Sequence, residues 1–348
     1  MDPNAPGRKA DHLRIAAEPG IEHSGGSGLE ALRLRHRALP ERDLADVSLR
    51  CELLGAGLGA PLLISAMTGG TDAAGEVNAR LAAAAAEHRI GLVLGSGRPL
   101  LDDPSLLSTY RPAGGPRPPL LLANLGAAQV RGPGAPQRAE RLVELLDADG
   151  LSIHLNPVQE AVQPEGQPEF SGVLEGIAAV VERLAPRPVV VKEVGFGMDG
   201  EDVRALAAAG AAAVDVAGAG GTNWALIEGR RDTRAGAVAA AFAGWGVPTA
   251  DALAGAVAAA PGLPVIASGG LRDGVDVAKC LALGAIAAGL ARPFLIAARA
   301  DRATEAIGAA IAQLRVATWA AGAQSTAALG AEHLRPTHAL GSFPDVSG

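Results

Sequence analysis

Residues 151–160 (LSIHLNPVQE) bring several groups capable of acid–base or hydrogen-bonding chemistry close together along the chain. If this segment opens as a strand, alternation places His154 and Asn156 on one face and the apolar side chains on the other. Gln159 and Glu160 follow directly after the strand. A lone histidine is more often a core residue than a catalyst, but a histidine, two amides and a carboxylate at one strand end favour a functional site.

A lysine and a glutamate interrupt the valine-rich run at residues 188–195 (PVVVKEVG). A charge inside such a run is costly to bury unless it has a partner. Lys192 and Glu193 would point to opposite faces of a strand, and this leaves two interpretations open. Either they form a structural pair, or Lys192 faces an anionic cofactor. We favour the second interpretation.

Two later segments carry a pattern typical of phosphate binding. Residues 268–270 (SGG) open a turn before a helical pattern that begins near Gly274, and the N–H groups of such a turn can hold a phosphate. Ala291 and Arg292 occupy the corresponding place after the last apolar run. The loops after strands 7 and 8 are the usual phosphate site of a (β/α)₈ barrel, so the two patterns support each other.

Glycines and hydroxyl residues follow other apolar runs. They occur in SAMTGGT (65–71), GSGR (95–98), ANLG (123–126) and GAGGTNW (218–224). Such residues let a flat ring or a phosphate approach the backbone closely. Near the start of the chain, RKADH (8–12) holds two cations, which alone indicate only a solvated tail.

The elements that position these residues repeat a single unit. Short apolar runs alternate with alanine-rich helical patterns, which indicates βαβ units and a parallel sheet with outer helices. Eight runs over about 230 residues predict an α/β fold of the (β/α)₈ TIM-barrel type, with an open doubly wound sheet as the alternative. The runs are residues 61–67, 91–96, 120–126, 150–155, 188–195, 212–218, 264–270 and 285–291.

The alternation of apolar runs with helical patterns covers only part of the chain, and this predicts three segments. Residues 1–60 form an irregular N-terminal extension, residues 61–332 form the barrel, and residues 333–348 form a C-terminal tail. Residues 163–170 and 218–247 interrupt the rhythm as long βα loops. Because barrel active sites lie at the C-terminal ends of the strands, these loops are expected to help build the site.

Composition excludes several classes of protein. Roughly 150 residues per domain would suggest about two domains, but one α/β barrel can use 250 or more. Among 348 residues, 49% are hydrophobic, which excludes a disordered chain and allows a large core. A formal net charge of −7 argues against a general nucleic-acid binder, although a local basic pocket for an anion is still possible.

Cysteine content and targeting signals point to the cytoplasm. Cys51 and Cys280 are too few for a disulfide framework, and Cys280 is expected in a helix core. The N-terminus lacks the charged start and apolar run of a signal peptide. The longest uncharged stretch, residues 252–271, contains Pro261 and Pro264 and is mostly Ala and Gly, which makes it a poor membrane span.

Taken together, these sequences resemble the flavin-dependent type 2 isopentenyl-diphosphate isomerases. The resemblance runs in the family's order over residues 8–292, most of the chain. HLNPVQE and GGTNW with the leading Arg-Lys pair are specific to this family, whereas SGGLRDG is shared with many FMN-binding barrels. The matching sequences are RKADH (8–12), SAMTGGT (65–71), GSGR (95–98), ANLG (123–126), HLNPVQE (154–160), VKEVGFG (191–197), GGTNW (220–224) and SGGLRDGVDVAKCLALGA (268–285).

The resemblance implies a bound FMN across the barrel mouth. Its phosphate would meet Gly269, Gly270, Leu271, Arg272, Ala291 and Arg292. Its ring would rest on Ala66, Met67 and Thr68, with Ser96, Asn124, Lys192 and Thr222 around it.

The resemblance also implies a diphosphate substrate and a metal ion. The substrate would be held by Arg8, Lys9, Ser96, Arg98, His154, Asn156 and Gln159. Glu160 would bind Mg²⁺, which bridges to the diphosphate. His154, Gln159 and Lys192 would be the catalytic residues. Asp11, Gly97, Asn223 and Gly244 depart from residues common in the family, but none of them removes a proposed contact.

The implied reaction interconverts isopentenyl diphosphate and dimethylallyl diphosphate in isoprenoid biosynthesis by 1,3-allylic proton transfer. Reduced FMN would serve as acid and base, and the protein would position it and tune it. The reaction has no net redox change, so NADPH would only reduce the flavin at the start. We expect a homo-oligomer, a tetramer or an octamer, with no nucleic-acid or membrane partner.

Three other functions compete with this interpretation. An FMN-dependent oxidoreductase of the 2-hydroxy-acid oxidase type would share the barrel and the phosphate turns. A catalytically silent flavin-binding barrel is a second possibility, although the presence of His154, Gln159, Glu160 and Lys192 together argues against it. In a flavin-free aldolase or phosphosugar isomerase, Lys192 would instead form a Schiff base.

Overall fold

The structure, a computed structural model, describes residues 5–111 and 114–337. Its strands are β1 (Leu32–Leu34), β2 (Cys51–Leu53), β3 (Ala56–Leu58), β4 (Leu62–Ile64), β5 (Gly91–Val93), β6 (Leu120–Gly126), β7 (Gly150–Leu155), β8 (Val189–Glu193), β9 (Ala213–Asp215), β10 (Val265–Ser268), β11 (Ala287–Leu290) and β12 (Leu334–Pro336). Its helices are α1 (Ala5–Ile15), α2 (Asp72–Glu87), α3 (Arg98–Asp102), α4 (Leu107–Tyr110), α5 (Ala135–Leu146), α6 (Pro157–Val162), α7 (Val173–Leu184), α8 (Gly200–Ala208), α9 (Trp224–Arg231), α10 (Gly236–Ala241), α11 (Thr249–Ala259), α12 (Gly274–Ala282), α13 (Arg292–Arg299) and α14 (Ala303–Ala321).

Strands β4 to β11 form a closed parallel barrel with helices between successive strands. Closure is made by β11 and β4, where Ala288 pairs with Leu62 and Leu290 with Ile64. Each of the eight predicted apolar runs contains one barrel strand, so the predicted (β/α)₈ fold is confirmed. The open doubly wound sheet is wrong, because pairing of the last strand with the first leaves no barrel edge open.

Helix caps mark where the chain leaves the barrel mouth. Asp199 accepts hydrogen bonds from the first N–H groups of α8, and Asp273 does the same at α12. Carboxylates at these positions satisfy N–H groups that have no partner within the helix, and they also complement the helix dipole. The helix predicted near Gly274 begins at that residue, and Cys280 is buried within it.

The lower interior of the barrel is apolar. Inward-facing Leu63, Val190 and Ile266 pack in one cluster with Leu53 and Leu58 of the β2–β3 hairpin. Because these barrel residues lie toward the starts of their strands, the hairpin covers the N-terminal end of the barrel. Because the barrel interior at this covered end is apolar, we expect any chemistry to take place at the other end.

A polar layer lies directly above this apolar cluster. Successive side chains of a strand point to opposite faces, so the next inward-facing position lies two residues further along each strand. At that level the buried polar residues are Ser65, Asn124, Ser152, Lys192, Asp215 and Ser268, with Gly95 and Gly289 completing the ring. The alternation predicted for residues 151–156 places Ser152 and His154 on this inner side.

The extension contains more regular structure than the sequence indicates. Residues predicted to be irregular include helix α1 and the β2–β3 hairpin. β1 pairs antiparallel with β12, so the first and last described strands of the chain form a small sheet of their own. Helix α1 escaped notice because its sequence, APGRKADHLRI, is mainly polar and shows no apolar stripe.

The three-segment division of the chain stays a prediction, and its last residues, 338–348, lie outside the described part. Within the described residues, no helix combines the length and apolar character needed to cross a bilayer.

Candidate active site

A cavity of about 490 Å³ opens at the C-terminal mouth of the barrel. Every residue predicted from the sequence to belong to the site lines this cavity. Those residues are Arg8, Lys9, Ala66, Met67, Thr68, Ser96, Arg98, Asn124, His154, Asn156, Gln159, Glu160, Lys192, Thr222, Gly269, Gly270, Leu271, Arg272, Ala291 and Arg292. Their shared location is observed, whereas their individual roles stay predictions.

The end of β7 supplies an ordered set of hydrogen-bonding groups. His154 Nδ1 lies 2.6 Å from Asn124 Oδ1, a distance that fits donation by the imidazole N–H to the amide oxygen. Asn156 Nδ2 donates to Gln159 Oε1 at 3.1 Å and to Glu160 Oε1 at 3.0 Å. Pro157 begins α6 immediately after β7, so the helix turns Gln159 and Glu160 back toward the strand end.

The buried Asn156 side chain has an acceptor available for a ligand. Its Oδ1 atom is inaccessible to solvent and has no hydrogen-bond partner among the described residues. Because a buried polar atom without a partner is unfavourable, this oxygen fits a ligand donor or a bound water in the cavity.

A buried carboxylate, Glu228 of α9, joins the extension to the barrel. Its side chain is 0% exposed, and its Oε1 lies 2.9 Å from His12 Nε2 and accepts from Gln159 Nε2 at 2.8 Å. Its other oxygen pairs with Arg231, which also pairs with Glu165. Hydrogen bonds from these partners hold the pKa of Glu228 below its ordinary value despite burial.

Sequence reasoning missed Glu228, His12 and Arg231. Glu228 and Arg231 are three positions apart, which on sequence alone indicates an ordinary surface pair on a helix. His12 stands in the quoted RKADH segment but was given no role. The available signal was an acid within a helix whose Ala225 and Ile227 are apolar, since these neighbours indicate a buried face.

Cations from the extension and from the loop after β5 gather on one side of the cavity. Arg8 and Lys9 lie on α1, and Arg98 begins α3. Desolvation, together with the positive charges of Arg8 and Arg98, lowers the pKa of Lys9 to about 8. Such crowding of positive charge is unfavourable by itself and is relieved by an anion bound between the cations.

His154 is held in its neutral form at this site. Desolvation and the positive charges of Lys192 and Lys9 lower the pKa of His154 to about 3. A neutral imidazole whose Nδ1–H is donated to Asn124 presents Nε2 as an acceptor. His154 can therefore accept a hydrogen bond from a ligand without adding a further positive charge.

Lys192 faces the cavity and does not form an ion pair with Glu193. Its Nζ donates to the main-chain oxygen of Glu193, and no carboxylate of the described residues lies within 4.0 Å of it. The Glu193 carboxylate instead accepts from the N–H groups of Val194 and Gly195, each at 2.6 Å, and from that of Phe196. Burial raises the pKa of Glu193 to about 7. The geometry favours the interpretation in which Lys192 faces a ligand.

Glycines at the end of β10 form a turn suited to an anion. Gly269 and Gly270 have φ of 98° and 75°, a region that other residues rarely adopt. A Cβ on Gly269 would lie 2.0 Å from the oxygen of Gly218. The backbone hydrogen bonds of the described residues give the N–H groups of Gly269, Gly270 and Leu271 no carbonyl acceptor, which fits a bound phosphate.

The two arginines at this edge hold the extension with their side chains. Arg272 pairs with Glu30 at 2.6 Å, and Arg292 pairs with Glu22 at 2.7 Å. Arg292 also donates to the main-chain oxygens of Ala16 and Glu18, at 2.9 and 2.8 Å. These guanidinium groups hold the extension, so a phosphate at this edge would meet the backbone of these residues.

Flat and apolar surfaces complete the cavity. Ala66 and Met67 follow β4, and Trp224 begins α9, where its ring meets that of His12 edge-on at a centroid distance of 5.2 Å. Tyr110 of α4 donates a hydrogen bond to the main-chain oxygen of Ser96 at 2.7 Å. This bond holds the loop after β5 in place. A planar ring and a small apolar group both fit between such walls.

The carboxylates at the mouth are too dispersed to form a metal site made of protein alone. Among the described residues, no three His, Cys, Asp or Glu side chains are grouped to hold a metal ion. Glu160 lines the cavity, and its Oε2 accepts from Gln167 N at 2.7 Å. Mg²⁺ is often bound by one or two carboxylates together with substrate phosphate oxygens and waters, so a single oriented carboxylate fits that mode.

Sequence comparison identifies the family. Residues 161–336 match the family described as FMN-dependent dehydrogenase. A relative from Xanthobacter autotrophicus, named isopentenyl-diphosphate delta-isomerase, is 47% identical over 335 residues, covering 94% of this chain and 97% of the relative. A Nostoc relative of the same name is 46% identical over 294 residues, covering 84% of each chain.

The chain belongs to the type 2, FMN-dependent isopentenyl-diphosphate delta-isomerase family.

Solved structures of other proteins share the fold of this family member. A flavocytochrome b2 with benzoylformate has a TM-score of 0.65 at 17% identity, covering 93% of this chain and 78% of that one. A mandelate oxidase mutant with (S)-mandelic acid has a TM-score of 0.62 at 22% identity, covering 95% and 93%. At such identities the likeness shows the barrel fold alone.

The neutral state of His154 in this family member gives a testable pH dependence. We expect its imidazole to stay neutral at about pH 5, because its folded pKa lies well below the unfolded value of about 6.5. The unfolded chain then binds the extra proton, so the stability present above pH 6.5 is lost as the pH falls toward about 3. NMR titration of the imidazole protons checks the value.

The Lys192→Gln variant supplies the comparison for this titration. Removing that positive charge raises the pKa of His154, because Lys192 contributes to lowering it. A His154 midpoint near 6.5 in the parent protein, or an unchanged midpoint in the variant, contradicts the assignment.

Proposed function

We propose that the protein interconverts isopentenyl diphosphate and dimethylallyl diphosphate, in isoprenoid biosynthesis, by 1,3-allylic proton transfer that depends on reduced FMN and Mg²⁺. One observation carries the proposal beyond the family name. A single cavity has two separate anion sites: the glycine turn at residues 269–271 and the cationic cluster of Arg8, Lys9 and Arg98. Two such sites fit the phosphate of a cofactor and the diphosphate of a substrate.

The fit to FMN rests on three features of the chain. The glycine turn offers N–H groups to a phosphate, together with the start of α13 at Ala291 and Arg292. Ala66, Met67 and Thr68 offer a surface to the ring, with Ser96, Asn124 and Thr222 nearby. Lys192 supplies a positive charge where reduced flavin carries negative charge.

When bound and reduced, FMN supplies the acid and base that a very weakly basic alkene requires. The chain contributes positions and charge. Lys192 would stabilise the negative charge of the reduced ring, and the apolar walls at Met67 and Trp224 exclude water from a developing tertiary cation. No electrons are gained or lost overall, so a reductant such as NADPH is needed only to bring the flavin to its active state.

The substrate diphosphate would be held by side chains from helix α1, from the loop after β5 and from the end of β7. Arg8, Lys9 and Arg98 would provide charge-assisted hydrogen bonds. Asn156 and His154 would contact the head group through a bridging water, because Asn156 Oδ1 and His154 Nε2 are acceptors, as the diphosphate oxygens are. Ser96 would lie between the substrate and the cofactor. This arrangement places the highly charged head near the extension and leaves the five-carbon chain to face the ring.

Gln159 is a buried amide with hydrogen-bond partners at both of its polar atoms. Its Nε2 donates to Glu228 and its Oε1 accepts from Asn156, so the orientation of the amide is fixed at both ends. We propose that Gln159 orients the carbon skeleton, with His154 and Lys192 as the other catalytic groups. The fixed amide would keep the allylic carbons within reach of one face of the ring.

Glu160 would hold Mg²⁺ against the diphosphate. The carboxylate is oriented by Asn156 and Gln167, and it shares the cavity with the cationic cluster. The metal would neutralise part of the diphosphate charge and fix the position of the head group.

The oxidoreductase alternative is favoured by the shared barrel and by the match of residues 161–336 to the family described as FMN-dependent dehydrogenase. A 2-hydroxy-acid substrate carries one carboxylate, which does not account for a second cluster of three cations. The homo-oligomeric state, tetramer or octamer, a cytoplasmic location and NADPH as the physiological reductant stay predictions.

The decisive experiment is an anaerobic incubation of the purified protein with isopentenyl diphosphate, FMN, Mg²⁺ and a reductant. We expect dimethylallyl diphosphate to appear without net consumption of reductant after the flavin is reduced. Product formation at the same rate without flavin, or stoichiometric consumption of reductant, contradicts the proposal.

The metal role of Glu160 is tested by Glu160→Gln. We expect this variant to lose Mg²⁺-dependent turnover while it still binds FMN, because the amide cannot provide the negative charge that Mg²⁺ requires. Glu169→Gln is the control, since Glu169 is exposed in the same loop. Normal activity of Glu160→Gln refutes the role.

The substrate role of the extension is tested by Arg8→Ala. Loss of one charge-assisted hydrogen bond, about 1.5–3 kcal/mol, should raise the KM for the diphosphate by about 10- to 100-fold. Arg14→Ala is the control on the same helix, because Arg14 is exposed and pairs only with nearby Asp11 and Glu18 among the described residues. Equal KM values for the two variants would remove Arg8 from the substrate site.

A further inference from the structure

Asp215 is a buried carboxylate inside the barrel that the proposed function does not use. It ends β9 and is 5% exposed. Its Oδ1 accepts a hydrogen bond from Ser268 Oγ at 2.6 Å and from the N–H of Ala217 at 3.2 Å. Accepting two hydrogen bonds favours the ionised form of this carboxylate and opposes the effect of its burial, which raises its pKa.

This carboxylate belongs to the same layer as Lys192. The two residues are register partners on neighbouring strands β8 and β9. Both point into the barrel, since Val190 and Ala213, two residues earlier, pack in the apolar cluster below. No ion pair within 4.0 Å joins them among the described side chains, so they act on each other through space.

Asp215 is the acid of this inner layer that opposes the lysine charge. Glu193 is one residue from Lys192 and therefore lies on the other side of the strand, where backbone N–H groups surround its carboxylate. Burial raises the pKa of Asp215, and the Lys192 charge together with the Ser268 hydrogen bond opposes that rise. The cavity wall thus has the lysine at its surface and a buried carboxyl group behind it, which offsets the lysine charge when it is ionised.

We propose that Asp215 is a positioning residue that offsets the Lys192 charge next to the flavin and so sets how readily the bound cofactor is reduced. The inference rests on the proposed function because it requires FMN beside Lys192. A nearby positive charge favours the electron-rich reduced ring, and a nearby negative charge disfavours it. With both present, the flavin is reduced less readily than Lys192 alone would allow.

The test measures the midpoint potential of bound FMN by anaerobic titration against reference dyes. Four proteins are compared: the parent, Asp215→Asn, Lys192→Gln and the double variant. We expect Asp215→Asn to raise the potential, so that the ratio of reduced to oxidised flavin at a fixed poise increases about tenfold. Lys192→Gln should lower the potential, and the double variant should fall between the single variants, near the parent.

A carboxylate elsewhere in the barrel provides the matched control. Asp149 precedes β7 at the opposite end and accepts from Leu121 N at 2.7 Å. Asp149→Asn makes the same chemical change and can lower the melting temperature, but it should leave the potential unchanged. A purely structural role for Asp215 would give the same result in Asp215→Asn: a lower melting temperature with no shift in potential.

Each outcome decides the inference. An unchanged or lowered potential in Asp215→Asn overturns it. If that variant does not fold, Lys192→Gln is compared with the double variant, which lacks both charges, and a potential that is no higher in the double variant overturns the inference equally. Failure of the parent protein to bind FMN contradicts the proposed function instead, and it is seen before any potential is measured.

Discussion

A positive charge held inside the barrel is the constraint on which the rest of the site depends. Lys192 is 7% exposed, and an ammonium group in such a place is unstable without compensating groups. The chain meets this requirement with one layer of polar residues between an apolar floor and the open cavity. This layer places Lys192 at the wall of the cavity, above an apolar floor.

The same constraint explains why the extension is part of the site. Arg8, Lys9 and Arg98 add further positive charge, and Glu228 ties the helix that carries the first two to the loop after β9. At the other edge, Arg272 and Arg292 clasp the acidic residues of the extension. Charge therefore fastens the extension to the barrel at both edges of the cavity, in addition to the apolar packing of residues such as Leu13, Ile15 and Ile21 in the core.

Much of the fold could be predicted because each barrel strand has a recognisable sequence pattern. Each is a short apolar run, each ends in small or polar residues, and alanine-rich helices separate them. The residues at the strand ends were predicted to share one mouth, since parallel strands present the same ends together. Position at the strand ends alone therefore predicts that His154, Lys192 and the glycine turn lie in one cavity.

The missed residues depend on partners that are remote in sequence. Glu228 is recognisable as buried only when His12 and Gln159 are placed against it, and neither is close to it along the chain. Helix α1 has no clear apolar stripe, so its sequence does not predict a helix. Contacts with α9 and α2 hold it in place. Asp215 was recognisable: like Lys192, it is a charge inside an apolar run, and the same burial argument applies to it.

The β2–β3 hairpin covers the N-terminal end of the barrel, so the interior of the barrel opens at its C-terminal end. With Leu53 and Leu58 packed across the strand starts, molecules can arrive and depart only past the extension. Under the proposed function, cofactor and substrate would share this one mouth, so a bound substrate beneath the extension would hinder the departure of the cofactor. A cofactor retained in this way would need reduction only once for many catalytic cycles.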